Sequence, residues 1–199
     1  MKNFDYDAMT QEELRELVLK NENIMVRWYA VQHITDQETL KKVALKDYEH
    51  WQVRIQAVEK LTDQETLKDI ALNMTVHSEV RDRAVIRITD SELKKQIALS
   101  NDDYVKYMVL RTFTDQETLK YIALNDEDIH ARGIAVSKLN DQDTLKQIVF
   151  NKNEIWFIRK QAILRLTDQE ALKQLSLSAE DEDIRKTAEL RLTELKEKL

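Results

Sequence analysis

Proline and cysteine are absent from this sequence of 199 residues, and glycine occurs once. Such a chain has few tight turns or kinks, and long regular helices suit it. The lack of cysteine excludes disulfides, thiolate chemistry and zinc sites with cysteine ligands. The first seven residues do not form an apolar stretch, and no apolar run approaches the roughly 18 residues of a membrane span. We therefore expect a soluble, cytoplasmic protein that does not enter a membrane.

Charged residues are abundant, but neither sign forms a long block. They make up 34% of the sequence, and the net charge is −6. Mixed charges of this kind are typical of solvated helix faces. A negative balance argues against a general nucleic-acid binder, whose affinity depends on an excess of lysine and arginine.

A six-residue motif, Thr-Asp-Gln-Glu-Thr-Leu, organises the sequence. It begins at Thr35 and recurs, unchanged or slightly altered, at 62–67, 89–93, 114–119, 140–145 and 167–172. The steps between successive motifs are 27, 27, 25, 26 and 27 residues. A constant period of this size indicates a stacked repeat array.

Each repeat contains the pattern of two short helices. Thr35 and Glu38 have the spacing of a capping box, which predicts that Thr35 caps the first helix, helix A. Residues 46–50 interrupt the apolar pattern and predict a loop. The second helix, helix B, then carries an apolar stripe at i, i+4 and i+8, formed by Val53, Ala57 and Leu61.

The same pattern predicts seven repeats in one domain that spans residues 1–199. Their bounds are 10–34, 35–61, 62–88, 89–113, 114–139, 140–166 and 167–192. The last stretch, 193–199, lacks the motif but continues the helical stripe, and we expect it to form a polar C-terminal cap. Two short helices cannot bury their apolar stripes alone, so neighbouring repeats must stack.

A basic residue follows the first apolar residue of every helix B. The set is Arg27, Arg54, Arg81, Lys106, Arg132, Arg159 and Arg185. At 100° per residue this position falls on the apolar stripe, so we expect an internal ladder. A buried guanidinium needs a partner, and the motif aspartates and the loop Asp or Asn residues are the candidates.

These features resemble short HEAT-like helical repeats, including those of the bilin-lyase type, over about residues 10–192. The resemblance rests on the helix-A motif, the apolar–Arg pair and the Ala-Val that follows. It implies an all-α, right-handed α-solenoid of about seven antiparallel helix pairs, with helices B on the concave side and a role in binding or scaffolding. The repeats are shorter than HEAT units and lack their proline, so an armadillo-like or leucine-rich-variant class is the alternative.

Several positions of helix B that point away from the apolar stripe hold aromatic or aliphatic residues. Large apolar groups on a solvated face suggest a binding surface; the alternative is packing against neighbouring repeats. The candidates for partner binding are Trp28, Ile55, Tyr104, Tyr107, Met108 and Phe157. We assign Trp51 and Trp156 to packing. Gly133 occupies an outward position, where either something passes close to the backbone or the glycine has no role.

No pattern in the sequence predicts catalysis, a metal site or a cofactor. His50 and His77 are equivalent residues of adjacent repeats, too far apart for one metal ion. The carboxylates recur with the repeat, which favours helix capping. We therefore predict a non-catalytic module that binds a protein or peptide along its concave face. Nucleic-acid binding or modification is the alternative: the helix-B segments carry a net charge of +9, of which the ladder supplies seven.

Overall fold

The computed structural model describes residues 4–197. In this part of the chain the protein consists of fourteen α-helices without a strand. None of these helices is both long enough and apolar enough to cross a membrane. The helices are α1 (Gln11–Lys20), α2 (Ile24–His33), α3 (Gln37–Leu45), α4 (Trp51–Lys60), α5 (Gln64–Leu72), α6 (Ser78–Arg87), α7 (Ser91–Ala98), α8 (Asp103–Thr112), α9 (Gln116–Asn125), α10 (Ile129–Lys138), α11 (Gln142–Phe150), α12 (Trp156–Arg165), α13 (Gln169–Ser178) and α14 (Glu182–Lys196).

The helices form seven consecutive pairs, which confirms the predicted all-α repeat architecture. Odd-numbered helices are helices A and even-numbered helices are helices B. The last of them, α14, continues past Thr193 to Lys196. The handedness of the array and the single-domain organisation stay predictions.

The chain divides into two compact units, Met1–Val109 and Leu110–Leu199. In the N-terminal unit α2 packs on α4 and α4 on α6, while α1, α3, α5 and α7 form a second row. In the C-terminal unit α10 packs on α12 and α12 on α14, and each of these helices B also contacts its own helix A. Each unit is therefore built by stacking one helix pair on the next.

The predicted apolar stripe of helix B forms the core. Val53, Ala57 and Leu61 have no exposed surface, and neither do the helix-A residues Leu40 and Val43. Burying one such large side chain is worth about 1.5–3 kcal/mol. Because part of this burial comes from the neighbouring repeat, the stripe stabilises the stack as well as the pair.

The capping prediction is wrong for the full motif. The N-cap of α3 is Asp36, whose Oδ2 accepts hydrogen bonds from the backbone N–H of Thr39 (3.0 Å) and from its hydroxyl (2.5 Å). Aspartate caps helices as well as threonine does, and its charge also favours the N-terminal end of the helix dipole. Only the first repeat, where no aspartate follows Thr10, has the expected capping box, between Thr10 and Glu13.

The displaced threonine links adjacent repeats through a glutamine. Gln11, the first residue of α1, donates from Nε2 to the carbonyl of His33 (2.9 Å), and its Oε1 accepts from the Thr35 N–H (2.8 Å). The side-chain amide thus holds the end of one helix B and the start of the next helix A. The backbone N–H that opens the next repeat is accepted in the same way by Gln37, Gln64, Gln116 and Gln142.

Candidate functional site

The six arginines of the ladder donate to backbone carbonyls at the end of helix A, or in the loop after it, of their own repeat. Arg54, Arg81 and Lys106 are buried, and Arg54 retains 5% of its accessible surface. The other four side chains are half-buried. Arg54 Nε donates to the carbonyl of Ala44, at the end of its own helix A, at 2.8 Å. A cation at this place also offsets the negative end of the helix-A dipole.

Three ladder arginines have an acidic partner in the loop of the following repeat, whereas Lys106 pairs with Asp103 of its own helix, and none of these partners is a motif aspartate. Arg27 Nη2 lies 2.8 Å from Glu49 Oε1, and Arg132 Nη2 lies 3.1 Å from Glu154 Oε1. Arg81 pairs with Asp102. Burial by itself would raise the pKa of Glu49, but hydrogen bonds from Arg27 and from the His50 backbone lower the pKa below its usual value.

The motif aspartates have different partners. Asp63, Asp141 and Asp168 accept from lysines of the preceding helix A, as in the pair of Lys146 Nζ and Asp168 Oδ2 at 2.8 Å, and Asp141 and Asp168 also cap their own helices. Their carboxylates are already used at the helix start, which lies away from the ladder. The fold instead brings loop acids to the guanidinium groups of Arg27, Arg81 and Arg132.

A second row of cations was missed by the sequence analysis. Lys60 Nζ donates to the carbonyl of Gln32 in the preceding helix B at 2.6 Å, and Arg191 Nε donates to the carbonyl of Leu166 at 3.1 Å. The row holds Lys60, Arg87, Lys138, Arg165 and Arg191, each bonded to a carbonyl of the preceding repeat. Its recurrence near the end of five of the seven helices B was the available signal.

These two rows change the charge that the helices B present to solvent. The seven helix-B segments have a formal charge of +9, and twelve of their cations are the ladder and second-row residues. Without those twelve the remaining side chains sum to −3. The basic surface that made nucleic acid an alternative is therefore largely engaged in contacts within the protein.

The six candidates for partner binding differ in exposure. Tyr104 and Phe157 are exposed, at 42% and 39%, whereas the other four are half-buried. Exposed apolar residues at neighbouring outward positions include Met25, Ile86, Leu164 and Leu190. The candidates also fall in both compact units, so they are described below as two separate groups.

Tyr104 is held by its neighbours in α6. Its hydroxyl donates to Asp82, and its ring lies over the guanidinium of Arg81, with 5.2 Å between the ring centroid and Cζ. The hydrogen bond to Asp82, together with burial, raises the pKa of Tyr104 to about 12. The ring is thus fixed in place and neutral, while its outer face remains accessible.

The two tryptophans assigned to packing behave differently, and for Trp156 the assignment is wrong. Trp51 stacks on His77 of the next repeat, with ring centroids 4.9 Å apart and an interplanar angle of 8°. Trp156 is 53% exposed and meets Phe157 edge-on, with centroids 6.0 Å apart. His77 and its equivalent His50 cap the N-termini of α6 and α4.

The start of α12 differs chemically from the starts of α2, α4, α6, α10 and α14, where a side chain caps the helix. The N-cap position holds Ile155, and no side chain caps the helix. The equivalent residues Asn23, Asp128 and Asp181 accept backbone hydrogen bonds. Ile155, Trp156 and Phe157 therefore form a consecutive apolar group, the α12 apolar group, where other repeats place a polar cap.

Gly133 is buried, so its assignment to an outward slot is wrong. A Cβ atom added there would lie 3.4 Å from Ile158 Cδ1 and 3.4 Å from Phe157 Cε1. What passes close to the glycine is helix α12 of the next repeat. The missing side chain allows the Phe157 ring to lie close to α10, which positions one edge of the α12 apolar group.

The helix-A side of the C-terminal unit has an open groove of about 500 Å³ between α11 and α13. Its lining combines the Lys146–Asp168 ion pair with the exposed side chains of Phe150 and Leu177. Within residues 4–197 no group of three or more His, Asp or Glu side chains is arranged to hold a metal ion.

Comparison with known proteins identifies the fold. No family model matches the chain, and no curated protein matches it. A solved structure described as a leucine-rich repeat variant with a novel repetitive protein structural motif is similar over 94% of this chain and 73% of its own, with a TM-score of 0.68 and 23% identity. The likeness supports a helical-repeat fold, and the HEAT-like class stays a prediction.

Proposed function

We propose that this protein is a non-catalytic module that binds a partner protein through the exposed side of its helices B. The observation that carries the proposal is the α12 apolar group, Ile155, Trp156 and Phe157. Natural sequences rarely leave a helix start uncapped and place consecutive apolar residues there without a gain elsewhere. Large aromatic side chains that are exposed, rigid and clustered are typical anchors of protein interfaces.

The geometry of the group supports an anchor rather than a core element. Trp156 and Phe157 contact each other edge-on, which fixes their orientation while both stay exposed. Phe157 also rests against Gly133, so its ring is ordered before a partner arrives. Ordering in advance lowers the entropy lost on binding. On the same helix, Leu164 extends the apolar surface.

The charge distribution favours protein over nucleic acid as the partner. The cations that recur in the repeats are bonded to carbonyls and loop carboxylates, as in Arg132 with Glu154 and Arg165 with Leu139. Nucleic-acid affinity depends on cations that are free to replace counterions on phosphates. The ladder and the second row supply few such cations, because their side chains are bonded within the protein. The positive charge of the helices B, which suggested nucleic-acid binding, is therefore no longer an argument for it.

The test compares variants of the apolar group with a matched aromatic variant on the other side of the same unit. The double variant Trp156→Ser/Phe157→Ser removes both anchors. The control Tyr121→Ser removes a similarly exposed ring from α9, which is a helix A. Proteins crosslinked to each form in host cells would be quantified by mass spectrometry after nuclease treatment. We expect at least one partner to be recovered about tenfold less with the double variant and equally with the control.

Equal recovery from all three forms would overturn the assignment of the surface. Loss of the signal after nuclease treatment would favour the nucleic-acid function instead. Circular dichroism of each variant shows that a lower recovery does not come from unfolding.

A further inference from the structure

The outward side of helices α2, α4, α6 and α8 in the N-terminal unit forms a second surface, here called the acidic face. Its apolar members are Met25, Ile55, Ile86 and Tyr104, of which Ile86 is the most exposed at 64%. The helices lie side by side, since α2 packs on α4 and α4 on α6. The hydrogen bond from Tyr104 to Asp82 joins α8 to α6.

Most cations of these helices point into the seams between repeats. Arg27 donates to the carbonyls of Asn21 and Glu22, and Arg54 donates to that of Ala44. Arg81, Lys60 and Arg87 likewise donate to carbonyl oxygens. Arg83 and Arg111 are different, because both lie at the surface; Arg83 pairs with Glu59 at 3.3 Å.

The carboxylates of the same helices stay at the surface. Glu79 is exposed in the first turn of α6, Asp82 lies one turn further along, and Asp103 is exposed at the start of α8. Together with Glu59 they are four carboxylates, against the two surface guanidinium groups of Arg83 and Arg111. Residues 1–109 as a whole contain 16 Lys and Arg against 20 Asp and Glu, a net charge of −4.

We infer that the acidic face binds a basic amphipathic helix of a partner protein. The apolar row of such a helix would lie on Met25, Ile55 and Ile86, and its lysine or arginine residues would face Glu79 and Asp82. Complementary charge steers association and selects among partners that share an apolar pattern. The same charge repels phosphate groups, which argues against nucleic acid or an anionic membrane at this surface.

The dimensions of the face set the length of its partner. Stacked helices lie about 8–10 Å apart, so four of them extend over about 30 Å. An α-helix of about 20 residues has that length. A helix that crosses the stack therefore reaches all four helices, whereas a small ligand would use only one or two of them.

The inference rests on the proposed function, and the experiment separates the two. A displayed library of 20-residue helices would keep a fixed leucine stripe and randomise the polar positions among Lys, Arg, Glu and Gln. Selection on the full chain would be followed by Kd measurements on the recovered peptides. We expect the selected helices to carry an excess of Lys and Arg.

Two charge reversals at equivalent helix positions provide the matched comparison. Glu79→Lys alters the second residue of α6, on the acidic face, and Glu38→Lys alters the second residue of α3, a helix A. Both variants have the same unfavourable charge at a helix start. We expect Glu79→Lys to raise the Kd of the selected peptides about tenfold and Glu38→Lys to leave it nearly unchanged.

The selection could instead recover neutral or acidic helices whose affinity falls with Ile55→Ser. That result would overturn the charge inference but not the proposal that this surface binds a protein. Selected helices that respond equally to Glu79→Lys and Glu38→Lys would overturn the location of the site. Failure to select any helix would overturn the inference, while the crosslinking comparison of the α12 variants still decides the proposed function.

Discussion

At the residue scale, equivalent positions of the repeat act differently because their neighbours differ. Trp51 and Trp156 occupy the same position, one residue after the N-cap of helix B. In the next repeat His77 supplies a ring that covers Trp51. The residue equivalent to His77 one repeat after Trp156 is Asp181, which has no ring to offer. An alignment of the repeats could have shown that Trp51 is followed one repeat later by a histidine and Trp156 by an aspartate. Assigning both tryptophans to packing did not use this difference.

The loop glutamate that pairs with the ladder is the residue whose loss should destabilise the protein most clearly. Glu49 is almost fully buried and accepts from Arg27, so Glu49→Ala leaves a half-buried guanidinium without its acid. We expect the free energy of unfolding to fall by about 2–4 kcal/mol. Urea unfolding measures this change.

The control is Glu180→Ala, which removes the exposed partner of Lys152. An exposed pair contributes about 0–1 kcal/mol. Equal losses in the two variants would contradict the structural role of the ladder.

Gly133 should be replaceable by alanine with a gain in stability. A Cβ atom at this position meets its nearest side chains at 3.4 Å, which is van der Waals contact. Alanine also removes the entropic cost of a helical glycine, so we expect a gain of about 0.5–1 kcal/mol. Gly133→Leu should instead displace Phe157 and lower the melting temperature. A loss of stability in Gly133→Ala would show that the contact with α12 is tighter than this geometry allows.

At the element scale, the period and the apolar spacing were sufficient to predict the helix pairs but not their caps. The letters from Thr35 to Thr39 satisfy two capping patterns, one that starts at Thr35 and one that starts at Asp36. The choice depends on Gln11, which lies a full repeat earlier and accepts from Thr35. Contacts between repeats therefore decide a feature that looks local in the sequence.

The same limit applies to the ladder partners and to the candidate binding residues. Arg27 and Glu49 are 22 residues apart, and the motif aspartates looked equally suitable until their capping role was visible.

For the binding surface, the sequence identified outward positions correctly at Tyr104 and Phe157. It did not distinguish them from half-buried Trp28, because exposure there depends on how closely the next helix packs.

The uncapped start of α12 gives a prediction about this element alone. Ile155→Asn introduces the side chain that caps α2 at the equivalent position, Asn23. A good N-cap stabilises a helix by about 0.5–2 kcal/mol, so thermal unfolding should show a higher melting temperature. If the α12 apolar group binds a partner, the same variant should bind that partner more weakly. If the variant is more stable and binds the partner equally well, Ile155 is not part of the binding surface.

At the scale of the whole chain, the repeated aspartate caps combine into a response to acid. Hydrogen bonds from the threonine at the third helix position lower the pKa of Asp36 and Asp63, and lower that of Asp141 to about 2. For Asp168 the main cause of the lowered pKa is Lys146. In the unfolded chain each of these groups returns to a pKa of about 3.9.

The sign of the effect follows from these directions. A carboxylate whose pKa is lower in the folded state stabilises the fold fully above its unfolded pKa, and that contribution is lost as pH falls through the folded pKa. Since the caps recur along the chain and each repeat depends on its neighbours, their protonation acts on many interfaces at once. We therefore expect the urea midpoint to be nearly constant above about pH 5 and to fall steeply from about pH 4 towards pH 2.

A variant with asparagine at Asp36, Asp63, Asp141 and Asp168 separates this cause from general acid denaturation. Asparagine is also a good N-cap, so the variant should fold, with lower stability at pH 7 because the lysine ion pairs are gone. Its urea midpoint should vary less than that of the wild type between about pH 4 and pH 2, since the four titrating groups are absent. Parallel curves for the two proteins would mean that other carboxylates, with buried Glu49 the first to examine, control the response to acid.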